Sequence, residues 1–135
     1  MNDTPSNSRR ARSPNELIAF FTERANTGDL DGLVALYEPD AVIAAGAPVA
    51  SGHDDIRSFY ARVLARRSSF PAGEPMEPIF NGDLALTITR LPKGRLSVEV
   101  ARRQADGSWL WVIDQLKLEL PDALAPRPEV TTLSE

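Results

Sequence analysis

In the first half of the chain apolar side chains recur at intervals of three and four; after residue 75 they recur at intervals of two. That change of period predicts helices followed by strands. Ser13-Pro14-Asn15-Glu16 has the form of a helix-capping box with proline at the first helical position. Behind it Leu17, Phe20, Phe21 and Ala25 share one face, and Gly28 supplies a left-handed stop. Asp29 is placed to cap a second, short helix carrying Leu30, Leu33, Val34 and Tyr37, which Pro39 ends. Ala41–Ala44 is an apolar run of strand length. A third helix is the clearest of all, with Ile56, Phe59, Tyr60, Val63 and Leu64 on one face and Arg57, Arg62, Arg66 and Arg67 on the solvent side.

Alternation takes over in the second half. Met76–Phe80 runs into Asn81-Gly82, a pair that favours a tight hairpin. Leu84, Leu86 and Ile88 mark the next strand, and Pro92-Lys93-Gly94 turns the chain. Leu96, Val98 and Val100 mark another, Asp106-Gly107 turns again, and Ser108–Leu120 is the last strand. Three helices before a meander of long strands is an α+β plan. A curled antiparallel sheet closed on one face by helices leaves a pocket between the layers, where a ligand would sit.

Composition narrows the chemistry. The chain has 135 residues, enough for one core, and no Cys, which excludes disulfides, thiolate metal sites and a cysteine nucleophile. A single His, His53, argues against zinc chemistry and reads as a solvent-exposed residue of a helix start. The formal net charge of -4 disfavours nucleic acid, and no apolar run is long enough for a membrane span. The basic amino-terminus has no apolar segment behind it, so a signal peptide is not expected and a cytoplasmic location is. Residues 1–12 and 121–135 are expected to be unstructured tails around one domain at 13–120. Between Pro14 and Leu120 there are 11 basic and 15 acidic side chains, a balance that suits solubility or a neutral or cationic ligand. No glycine-rich phosphate loop is present, so no cofactor is implied.

Three segments carry a family resemblance. The run Gly28–Val42 resembles the second-helix signature of the SnoaL-like and ketosteroid-isomerase-like families. Gly52–Tyr60 resembles the start of their third helix, and Arg102–Trp109 their final hairpin. The resemblance spans about four-fifths of the chain, the size of an ordinary domain. It implies the cone-shaped α+β fold of the nuclear-transport-factor-two superfamily, which hosts isomerases, cyclases, hydrolases and plain binding modules.

Carried over residue by residue, the resemblance gives a mixed site. The proton-shuttling Asp of ketosteroid isomerases falls on Ala45 and their oxyanion-hole Tyr on Phe21, so that mechanism is not supported. Their acid on the second-last strand has a counterpart in Glu99. The last-strand Asp of polyketide cyclases and limonene-epoxide-type hydrolases, seven residues beyond the turn glycine, falls on Asp114. The hydrolases' Arg-x-Asp pair falls on Leu84 and Leu86, so their triad is incomplete.

Alternation puts Val112, Asp114 and Leu116 on one face of the last strand and Trp109, Trp111, Ile113 and Gln115 on the other. The resemblance turns the first set to the pocket. It turns the tryptophans to an outer face where a homodimer would form. Ser97, Glu99 and Ala101 fall on the pocket side by the same reasoning. Asp114 and Glu99 then face each other, one with a raised pKa, as a catalytic acid/base pair. Tyr37 and Tyr60 offer hydroxyl hydrogen bonds to the substrate, with Phe20, Phe21, Phe59 and Phe80 as apolar walls. For Asp114 the competing reading is a buried acid paired with Arg90 or Arg102; for Glu99 it is a solvent-facing position or a cross-strand pair with arginine. The expectation is a cofactor-independent isomerase, cyclase or lyase acting on a small apolar molecule. The alternative is a non-catalytic binding or dimeric assembly module.

Overall fold

The computed structural model describes residues 9–45 and 49–118. Among these, three helices and seven strands follow one another: α1 (Pro14–Asn26), α2 (Leu30–Val34), β1 (Tyr37–Ala44), β2 (Ala50–Ser51), α3 (Gly52–Arg66), β3 (Glu74–Pro75), β4 (Ile79–Asn81), β5 (Leu84–Leu91), β6 (Arg95–Arg103) and β7 (Trp109–Leu118). The fold is α+β, with an open curled sheet in the order β2-β1-β7-β6-β5-β3 and β4 also paired with β5. Neighbours are antiparallel except β1 and β7, which run parallel. The helices cover one face: α1 packs on β5 and β7, and α3 on β1.

Local signals account for most element ends. Ser13 Oγ accepts from the Glu16 N–H at 3.3 Å. The Glu16 carboxylate, expected to reach the Ser13 N–H, accepts instead from the Arg12 N–H at 2.6 Å. Asp29 caps α2 through the Gly32 N–H at 3.0 Å, and Gly28 turns the chain at φ +70. A β4–β5 hairpin forms as expected, but its turn is Gly82-Asp83, with Gly82 at φ +61, because Asn81 is the last residue of β4 and pairs with Leu84.

Beyond these element ends, the structure departs from the sequence pattern in four places. Tyr37 belongs to β1, not to the end of α2, because the Leu36 carbonyl accepts from the Trp111 N–H at 2.8 Å and Tyr37 pairs with Trp111. A pairing across 74 residues of chain thus outweighs a helical spacing. Met76–Phe80 is not one strand, since β3 and β4 are separate.

The third departure is at the amino-terminus, where residues 9–12 contact the fold. Ala11 is buried and bridges Trp109, and the Arg9 carbonyl accepts from the buried Arg24 guanidinium at 2.9 Å. Arg24 also donates to the Gly32 carbonyl at 2.8 Å and stacks on Phe20, tying α1, α2 and the incoming chain together. The remaining tail positions, 1–8 and 121–135, lie outside the described residues.

β7 is not a regular strand. Val100 pairs with Ile113 but Ala101 pairs with Trp111, so Val112 is an extra residue. A bulge of one residue inverts the alternation on either side of it. Trp109 and Trp111 are therefore buried with Asp114, while Ile113 is 50% exposed. The assignment of the two tryptophans to an outer dimer face is thus wrong, and so is the assignment of Val112 to the pocket.

Candidate active site

Between the helices and the sheet lies a cavity of about 670 Å³. Its apolar wall includes Phe21 from α1, Phe59 and Tyr60 from α3, Trp111 and Leu116 from β7, and Phe70. Glu99 and Asp114 are the acids among its lining residues. They are direct cross-strand partners on β6 and β7, which puts their Cβ atoms about 5 Å apart. Both are buried.

Asp114 is held on one side. Tyr37 donates to its Oδ2 at 2.6 Å, and the Tyr37 and Tyr60 hydroxyls meet at 2.7 Å. Each tyrosine has a single proton, so this chain runs from Tyr60 to Tyr37 to Asp114. The other oxygen, Oδ1, is buried and has no hydrogen-bond partner among the described residues. Burial pushes the Asp114 carboxyl well above the ordinary carboxylate range. The Glu99 charge adds to the rise, and the Tyr37 hydrogen bond opposes it. Burial also raises Glu99, against the hydrogen bonds from Ser97 and Thr87; Thr87 Oγ1 donates to Glu99 Oε1 at 2.6 Å. Burial, then the neighbouring Asp114 charge, raises both tyrosine hydroxyls well above their ordinary value. They act as donors and keep their protons.

Neither arginine expected to pair with the acids does so. Arg102 is engaged with Glu38 at 2.9 Å, and Arg90 is exposed on β5, opposite Glu74. The arrangement can therefore present a protonated carboxyl beside a second acid in an aromatic-walled space, which suits general acid–base chemistry.

Of the expected site residues, Glu99, Asp114, Tyr60, Phe21, Phe59 and Leu116 line the cavity, and Tyr37 stands behind Asp114. Phe20 instead stacks with Arg9 and Arg24, and Phe80 is exposed against Trp109. His53 is half-buried and its Nε2 donates to the Tyr37 carbonyl at 2.7 Å, bracing β1 against α3. Ala45 and Phe21, where a ketosteroid isomerase would carry its Asp and Tyr, do line the cavity, without a proton to move. Leu84 and Leu86 lie on the other face of the sheet. The buried positions of β5 are Ala85, Thr87 and Thr89.

Two buried polar groups of the cavity escaped sequence reasoning. Trp111 Nε1 and Thr89 Oγ1 are buried without hydrogen-bond partners among the described residues. Thr89 was legible as a β5 residue sharing a face with Thr87; Trp111 was hidden by the bulge.

This α+β fold with its open curled sheet is similar to that of NTF2-like solved structures. A family model described as a SnoaL-like domain matches residues 17–119, and the chain belongs to that family. No curated protein matches it in sequence. Among solved structures, it is similar to a ketosteroid isomerase-like protein from Erwinia carotovora atroseptica SCRI1043, at 20% identity and a TM-score of 0.62, over 75% of this chain and 89% of that one. An NTF2-like protein from Pseudomonas putida KT2440 aligns at 21% identity and a TM-score of 0.59, over 83% and 93%. A protein assigned to the calcium/calmodulin-dependent protein kinase type II association domains, from Thiobacillus denitrificans ATCC 25259, aligns at 16% identity and a TM-score of 0.65, over 84% and 100%. At these identities the likeness is one of fold. No helix among the described residues is long and apolar enough to cross a membrane.

Proposed function

We propose that the protein is a cofactor-independent acid–base catalyst acting on a small, largely apolar carbonyl compound. Asp114 moves the proton, Glu99 assists, and the chemistry is of the enolisation, isomerisation, aldol-type cyclisation or water-addition kind. The observation that carries this reading is the Asp114 carboxyl. One oxygen is fixed by Tyr37, the other is unpartnered, and the group lines a cavity with a pKa raised by burial. A carboxyl that only packs would pair both oxygens.

Deuterium exchange tests it without knowledge of the full reaction. A panel of apolar ketones and esters is incubated with protein in D₂O, and exchange α to the carbonyl is followed by NMR. Wild type should accelerate exchange on part of the panel, and Asp114→Asn should lose that while keeping its thermal midpoint. Exchange at the buffer rate for every compound, or undiminished in the variant, contradicts the proposal.

The second reading is an assembly module, favoured by the uncovered face of the sheet. There Leu86, Val100 and Ile113 stand in one cross-strand row, with Ile88 and Val98 beside them. All five are apolar and at least partly exposed. A homodimer formed across this face is compatible with catalysis in the cavity behind it. The association-domain neighbour is consistent with such pairing, through these residues and not through the tryptophans.

A further inference from the structure

The cavity is polarised along its depth. Its acids, Glu99 and Asp114, are buried, whereas Arg66 and Arg67 at the end of α3 and Lys93 in the β5–β6 turn are exposed and line the same cavity. Arg95, half-buried, joins them from the start of β6. Exposed residues that also line a cavity form its mouth, and among the described residues this mouth carries cations and no exposed acid.

We infer that the substrate of this site is an amphiphilic anion, with an apolar body among the aromatic residues and an anionic oxygen group, carboxylate or phosphate ester, held at the mouth by Arg66 and Lys93. The inference rests on the reading of the cavity as a ligand site and names the class of ligand.

Three further observations bear on it. Among the described residues Arg66 and Lys93 have no hydrogen bond or ion pair, so they are uncommitted. Arg67, by contrast, stacks on Phe70 at 4.7 Å and donates to the Ser69 carbonyl. Lys93 is held at φ +66, the only described non-glycine residue with positive φ. That conformation is disfavoured for a residue with a β-carbon, and such strain clusters at active sites and ligand clamps. Finally, burial raises both acids above the ordinary carboxylate range, so the cavity floor opposes the charge of its rim less than two ordinary carboxylates would. The balance of -4 between Pro14 and Leu120, which pointed to a neutral or cationic ligand, is distributed along that whole stretch and not gathered at the mouth. A ligand at the mouth meets mainly charges within a Debye length of about 8 Å.

Matched ligands test this. ω-Phenylalkanoates of graded chain length are compared by calorimetry with the corresponding primary amides, trimethylammonium compounds and phosphate monoesters. Wild type should bind the carboxylate or the phosphate ester at least roughly tenfold more tightly than the amide, and the cationic compound least. The double variant Arg66→Gln/Lys93→Gln should lose that preference, and Arg103→Gln, which removes a cation outside the cavity, should keep it. Equal affinity for amide and anion in wild type, or a preference that survives the double variant, overturns the inference and leaves the ligand site standing. Absence of binding by every compound overturns the ligand site and the inference together.

Discussion

Tyr37 and Asp114, 77 residues apart in sequence, are joined by a 2.6 Å hydrogen bond inside the fold. Tyr37 opens β1 and Asp114 follows the bulge of β7, so the contact depends on the parallel pairing of those strands. Tyr37→Phe leaves Asp114 Oδ2 and the Tyr60 hydroxyl without a partner. The expected loss of stability is about 1–3 kcal/mol by urea unfolding. The Asp114 pKa should rise further, because that bond is what opposes the rise. An unchanged unfolding midpoint contradicts the assignment of the bond.

The raised acids also set how stability varies with pH. Below about 3.9 both folded and unfolded Asp114 hold their protons, and the contribution of the neutral buried form is fully present. Above that value the unfolded chain ionises freely while the folded chain keeps its proton, so stability falls as the pH rises toward the folded pKa. Glu99 contributes with the same sign. Urea midpoints measured from acid to neutral pH should decline across this window, and Asp114→Asn should flatten the decline. A variant with the wild-type slope assigns the effect elsewhere.

The bulge at Val112 has a spectroscopic consequence. Trp111 lines the cavity, whereas Trp109 packs against Phe80 and Ala11. A cavity-binding ligand should change tryptophan emission in wild type and in Trp109→Phe, and the change should be lost in Trp111→Phe. A ligand that binds without changing tryptophan emission, or a change that survives Trp111→Phe, contradicts the placement of Trp111 in the cavity.

Much of the fold is legible in the sequence. Ile56, Phe59, Tyr60 and Val63 give α3 because their spacing matches one helix face and their neighbours are polar. The β4–β5 hairpin was legible but its turn falls one residue later than the Asn81-Gly82 pair: Asn81 pairs with Leu84, and Gly82-Asp83 make the turn with positive φ at Gly82 alone. Glu99 and Asp114 come together because β6 and β7 are antiparallel about the Asp106-Gly107 turn. The bulge was not legible. On β7 both alternation phases mix apolar with polar residues, so inserting one residue leaves no trace in the pattern. The rim was also hidden. Arg66 and Arg67 read as a solvated helix face until the β5–β6 turn, far along the chain, is brought beside them.

The uncovered sheet face predicts association. Ile113 is 50% exposed in the middle of an apolar row, and a lysine there would place a charge inside a dimer interface. Sedimentation should find wild type dimeric and Ile113→Lys monomeric, both with the same helical signal by circular dichroism. A monomeric wild type removes the dimer proposal without touching the cavity.

The central claim is that Asp114 holds a proton in the cavity where an ordinary aspartate would not. The direct measurement is its side-chain carboxyl titration by ¹³C NMR, assigned by comparison with Asp114→Asn and repeated with a cavity ligand present. A carboxyl titrating well above the ordinary ~3.9, and moving when the ligand binds, is the result expected. A carboxyl titrating in the ordinary range and indifferent to every ligand contradicts the account.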